Sequence, residues 1–143
     1  MDSSRIGRAR RLVDLVSSRV DSRRTVLLVD DHEGVRRSLR EVLELWGYRV
    51  EIAEHGLQGI EQLRRVEVHI VILDMDMPVM DGRGFLATVA LDARLARVPV
   101  VVYSASPLPA PLPAGVRAWI WKGSDVCDVL SALARLGPPP AGK

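Results

Sequence analysis

Two hydrophobic patterns alternate along this chain, one suited to short buried strands and one to amphipathic helices. Val26–Val29 is an apolar run that ends in Asp30 and Asp31, which predicts a first buried strand. From Glu33 to Trp46 the apolar positions Val35, Leu39, Val42, Leu43 and Trp46 recur at helical spacing. Gly47 follows, where a residue without a Cβ ends a helix most easily. Tyr48–Ala53 alternates and reads as a second strand, and Leu57–Arg65 as a second helix with Gly59 lowering its propensity. His69–Leu73 is almost entirely apolar and stops at Asp74, as expected for a strand covered on both faces. A third helix is expected from about Gly84 to Leu91, then strands at Val98–Tyr103 and Arg117–Trp121. Ser124 is the expected cap of a last helix carrying Val126, Val129, Leu130, Leu133 and Leu136.

Five strands alternating with helices predict an α/β fold: a doubly wound, five-stranded parallel sheet of the flavodoxin-like kind with right-handed crossovers. One connection breaks the rhythm. Ser104–Gly115 reads SASPLPAPLPAG, and prolines at 107, 109, 111 and 113 remove backbone donors and clash with helical geometry. An irregular proline-rich segment is expected there in place of a helix. At 143 residues the chain fits one domain with one core, divided as a basic extension over 1–24, the domain over 25–136 and a flexible tail over 137–143.

Composition narrows the function classes. Hydrophobic residues make up 48%, so a packed core is expected. No apolar run approaches the roughly 18 residues of a membrane span. The net charge of +2 is small and concentrated in residues 1–24, which carry seven arginines against three aspartates. The body of the chain therefore shows no nucleic-acid footprint. A single cysteine, Cys127, cannot form an internal disulfide and fits a cytoplasmic protein.

In open parallel sheets the binding crevice lies at the carboxyl ends of the strands. Asp30 and Asp31 follow the first predicted strand, Asp74 the third, Ser104 the fourth and Lys122 the fifth. Three carboxylates in one crevice repel one another, and a hard cation such as Mg2+ with oxygen ligands relieves this. A carboxylate there can attack phosphorus, while a lysine ammonium and a hydroxyl stabilise phosphoryl oxygens. Of the histidines, His55 and His69 read as surface or cap residues, and His32 as a surface residue at a helix start.

The segments VLLVDD, ILDMDMPVMDG, VVVYSA and WIWKG resemble those of response-regulator receiver domains over about residues 25–136. The spacings agree, with 43 residues from Asp31 to Asp74 and 30 from Asp74 to Ser104. The resemblance implies that Asp74 accepts a phosphoryl group and that Mg2+ is held by Asp30, Asp31, Asp74 and the backbone carbonyl of Asp76. It also implies that Lys122 and Ser104 assist, and that Ser104 and Trp119 form the switch. The donor would be a histidine kinase or phosphotransfer protein. Such a domain is a signalling phosphoacceptor that catalyses only its own phosphoryl transfer and loss.

Three positions depart from the family pattern. Gly123 follows Lys122 where proline is usual, which favours a trans peptide, because a non-proline cis bond costs roughly 2.5–4 kcal/mol. Trp119 stands at the switch aromatic position, and its size is expected to lock it. The proline segment is expected to be tied to the site only through Ser104 and Ala105, and to rearrange as a loop.

In the extension, Ile6, Ala9, Val13, Val16 and Val20 suit an amphipathic helix that pairs with a partner or a second copy; a disordered basic tail is the rival. For the domain, the leading expectation is a stand-alone receiver signalling through protein contacts. The rival is a receiver-like scaffold that binds a partner without a normal switch. A flavodoxin-like small-ligand binder is disfavoured, because no glycine- or hydroxyl-rich phosphate loop follows the first strand.

Overall fold

A computed structural model describes residues 24–136; the expectations for the basic extension and the C-terminal tail lie outside the described residues, apart from Arg24. The elements are β1 (Thr25–Val29), α1 (Glu33–Leu45), β2 (Arg49–Ala53), α2 (Gly56–Arg65), β3 (Ile70–Leu73), α3 (Gly82–Ala90), β4 (Val100–Ser104), β5 (Val116–Trp121) and α4 (Val126–Arg135). A 3-10 turn at Leu95–Arg97, which no periodic pattern announces, leads into β4. The five strands pair in parallel in the order β2-β1-β3-β4-β5.

The apolar strands face two ways. Val26, Leu28, Ile70, Ile72, Val101 and Ile120 pack on one side with Leu39 and Leu43 of α1 and Val129 and Leu133 of α4. Leu27, Val29, Val71, Leu73 and Val102 pack on the other with Ile60 and Leu63 of α2 and Phe85 and Val89 of α3. Alternate side chains of one strand point to opposite faces, so a continuous apolar run serves both layers. Residues 105–115, between β4 and β5, contain no helical turn. Four prolines in that stretch leave too few backbone donors for one.

The helix ends follow local chemistry. Gly47, at φ 95°, ends α1 in the left-handed region. His55 caps α2, its Nδ1 accepting from the Gln58 N–H. The expected cap at Ser124 is not used. Ser124 N–H instead donates to Trp121 O in a turn leaving β5, and Asp125 caps α4 by accepting from Cys127 N–H. Asp81 caps α3, which begins at Gly82, two residues before the expected start. His69, expected as a surface or cap residue, is 24% exposed, and its Nδ1 accepts from Thr25 N–H, which ties the start of β3 to the entry of β1. Among the described residues no helix is long and apolar enough to cross a membrane.

Candidate functional site

The parallel sheet delivers the carboxyl ends of β1, β3, β4 and β5 to one rim. Asp30 and Asp74, the first residues beyond β1 and β3, are 1% and 3% exposed, and Ser104 at the end of β4 is fully buried. Lys122, just beyond β5, reaches across the rim. Its Nζ lies 2.9 Å from Asp30 Oδ2 and 3.4 Å from Asp74 Oδ2. Five of the residues singled out from the sequence, Asp30, Asp31, Asp74, Ser104 and Lys122, thus stand at the strand ends where the pattern put them.

Electrostatics at this rim are unbalanced. Burial raises the Asp74 carboxyl above the ordinary aspartate value, and the neighbouring Asp30 charge adds to this; Lys122 and the Asp76 N–H oppose it without cancelling it. For Lys122, burial works downward but is outweighed by the hydrogen bond and charge of Asp30 and by Asp74, so the ammonium is held above its ordinary value. Asp31 Oδ1 and Asp74 Oδ2 are buried without a hydrogen-bond partner. His32 Nδ1 lies 3.2 Å from the first and the Lys122 ammonium 3.4 Å from the second, in both cases without hydrogen-bond geometry.

One ligand atom from each of Asp30, Asp31, His32 and Asp74 lies within 4.8 Å of the others. Hard carboxylate oxygens, two of them buried and unpartnered, fit a Mg2+ ion well. His32 is a surface residue at the start of α1, as read, with its side chain 64% exposed. Its Nδ1 turns inward, 3.2 Å from both Asp30 Oδ1 and Asp31 Oδ1, because the Asp30 carboxylate also binds the His32 N–H and draws the residue over the rim.

Loops frame the carboxylates. After Asp74, Val79 takes φ 67°, and Met80 N–H donates to Pro78 O at 2.7 Å, a γ-turn of the rarer hand. Gly56 N–H to Met80 O and Gly82 N–H to Met75 O hold that turn at both ends.

Ser106 was not foreseen. Its hydroxyl donates to Asp76 Oδ2 at 2.6 Å, its N–H to Ser104 Oγ at 3.1 Å, and its carbonyl accepts from Trp119 Nε1 at 3.0 Å. The proline segment is therefore tied to the site by more than Ser104 and Ala105. Trp119 packs partly buried against the core, and its indole N–H is engaged by the Ser106 carbonyl. The Lys122–Gly123 peptide is trans, and the exposed Trp121 ring lies over Gly123 where a Cβ would otherwise fall.

Known proteins share this fold. The family model for the response regulator receiver domain matches residues 26–125. Response regulator UvrY of Escherichia coli (strain K12) is 35% identical over 112 residues, 76% of this chain and 51% of the relative. The chain thus spans about half the length of the curated relatives it matches. Chemotaxis response regulator CheY4 of Vibrio cholerae superposes with a TM-score of 0.73 at 25% identity, covering 80% of this chain and 99% of that one. Response regulator TrrA of Thermotoga maritima, in complex with Mg(2+)-BeF, gives 0.71 at 21% identity over 79% of this chain and 98% of its own, which supports the fold alone. The family match over most of the chain, the UvrY relationship and the five-stranded parallel sheet lead to one conclusion: this chain belongs to the response-regulator receiver domains, signalling modules of two-component systems.

Proposed function

We propose that Asp74 is the phosphoacceptor of this receiver domain and takes its phosphoryl group from a histidine kinase or phosphotransfer protein. The observation that carries the reading is the buried Asp74 carboxylate, one oxygen unpartnered, with Lys122 Nζ 3.4 Å away. A carboxylate oxygen attacks phosphorus, the P–N bond of the donor phosphohistidine breaks, and the imidazole nitrogen keeps the electron pair. Lys122 supplies a positive charge for a phosphoryl oxygen, and Ser104, whose Oγ accepts from the Ser106 N–H, still has its own O–H to donate to another. Asp30, Asp31, Asp74 and the Asp76 carbonyl would hold a Mg2+ ion, which neutralises charge on the incoming group. The output passes to a downstream protein through surface contacts.

A second reading, a scaffold that binds its partner without a normal switch, draws support from the Trp119–Ser106 hydrogen bond that restrains the switch aromatic. Incubation with Mg2+ and acetyl phosphate, followed by intact mass, separates the two. The expected result is a gain of one phosphoryl group that Asp74→Asn abolishes. An equal gain in the Asn variant overturns the assignment, and no gain in the wild type favours the scaffold.

A further inference from the structure

Asp31 Oδ1 is buried and makes no hydrogen bond, and its near neighbour is the exposed His32 ring, Nδ1 3.2 Å away. The carboxylate is placed by the backbone that carries it. The peptide plane joining Asp30 to Asp31 has its carbonyl on Asp30, and that carbonyl accepts a 2.7 Å hydrogen bond from Arg36 Nη1. The guanidinium sits one turn into α1, where Arg36 N–H also donates to His32 O. Its side chain is only 11% exposed, and Nη2 lies 3.7 Å from Glu54 Oε1, beyond the end of β2. On the other side of the same residue, Asp30 N–H donates to Ala53 O. The backbone of Asp30 is thus held at both its N–H and its carbonyl, and the carbonyl half depends on one side chain.

We infer that Arg36 is a positioning residue for the cation site: by holding the Asp30 carbonyl it fixes the Asp30–Asp31 peptide and aims the Asp31 carboxylate at the ion. This rests on the proposed Mg2+ site and adds to it a residue with no ligand atom of its own. Groups that orient metal ligands in this way typically govern affinity by roughly 10–100-fold.

Geometry and charge make opposite forecasts. A guanidinium near a cation site repels the ion, so if charge were its only influence, removing Arg36 would tighten Mg2+ binding. If positioning dominates, removal weakens it. The test follows the thermal unfolding midpoint of the full chain as Mg2+ is raised, each variant referred to its own value in EDTA. A ligand that binds only the folded state raises that midpoint with concentration. A merely structural role shifts the EDTA value and leaves the Mg2+ dependence unchanged.

Arg36→Ala is expected to need about tenfold more Mg2+ or beyond for the same rise. Arg36→Lys, which keeps the charge but loses the planar fork, is expected to fall between Ala and wild type, and Arg36→Gln, a shorter neutral donor, likewise. Should the Ala variant fail to fold, the Lys and Gln variants carry the comparison. A wild type that responds to Mg2+ beside variants that respond as strongly or more so overturns the inference alone. A wild type that does not respond overturns the cation-site reading and the inference with it.

Discussion

Asp74→Asn is expected to make the metal-free domain more stable. One oxygen from each of Asp30, Asp31 and Asp74 lies within 4.8 Å of the others. At an effective dielectric of about 20, each like-charge pair at that separation costs about 3.5 kcal/mol or more. The Lys122 contact at 3.4 Å offsets about 5 kcal/mol of this. Two repulsions against one attraction leave about 2 kcal/mol opposing the ionised Asp74, and burial adds in the same direction. Screening at Asp31, whose side chain is 29% exposed, trims the first figure. The expected gain for the Asn variant is about 1–3 kcal/mol at pH 7 in EDTA, read from urea unfolding.

The pH dependence has a definite sign. Asp74 titrates higher in the folded than in the unfolded chain, so wild-type stability falls as pH rises from the ordinary value of 3.8 through the folded pKa. The advantage of Asn therefore opens across that window, stays constant above it and is absent below 3.8. Mg2+ should close the gap at pH 7, because the ion stabilises the carboxylate-rich wild type more than the variant. An Asn variant less stable than wild type in EDTA at pH 7, or a gap that widens on acidification, would refute this electrostatic account.

Lys122→Met should cost about 3–5 kcal/mol at neutral pH without Mg2+, since it strands two buried carboxylates. Adding Asp74→Asn should recover part of that loss, and strict additivity in the double-mutant cycle would count against a shared cluster. Ser106→Ala should change global stability by no more than about 1 kcal/mol but speed amide exchange over 105–115, because it cuts the tie to Asp76. Unchanged exchange would show that the prolines alone order the segment.

The frame of this site could be read from the sequence because it depends on strand ends. Apolar runs that stop at Asp30, Asp74, Ser104 and Lys122 carry their own address, since parallel strands bring their carboxyl ends to one rim. What escaped reading depends on how loops fold back. Ser106 sits in a proline-rich stretch with no period, and only the path of that stretch sets its hydroxyl beside Asp76, thirty positions earlier in the chain. Arg36 is one of several polar positions on α1. Its role comes from a bond to a main-chain carbonyl, which no residue pattern encodes. His32 stays exposed at its helix start, as read, but the approach of its Nδ1 to the carboxylates follows from the Asp30 carboxylate binding the His32 N–H, which residue type alone does not encode. The cap of α4 moved from Ser124 to Asp125 because the turn after Trp121 engages the Ser124 N–H first.

The indole of Trp121, lying over Gly123, makes those two positions a single unit of exchange. Grafting the proline common to the family onto position 123 would set its ring against the indole, so that graft alone would have to evict Trp121 from its place. Shortening Trp121 alone would uncover the peptide that follows the site lysine. Because the indole ring is largely exposed, either change alone alters the cover over this peptide and leaves the core untouched. Engineers borrowing segments from other receivers should therefore move residues 121–123 as one cassette.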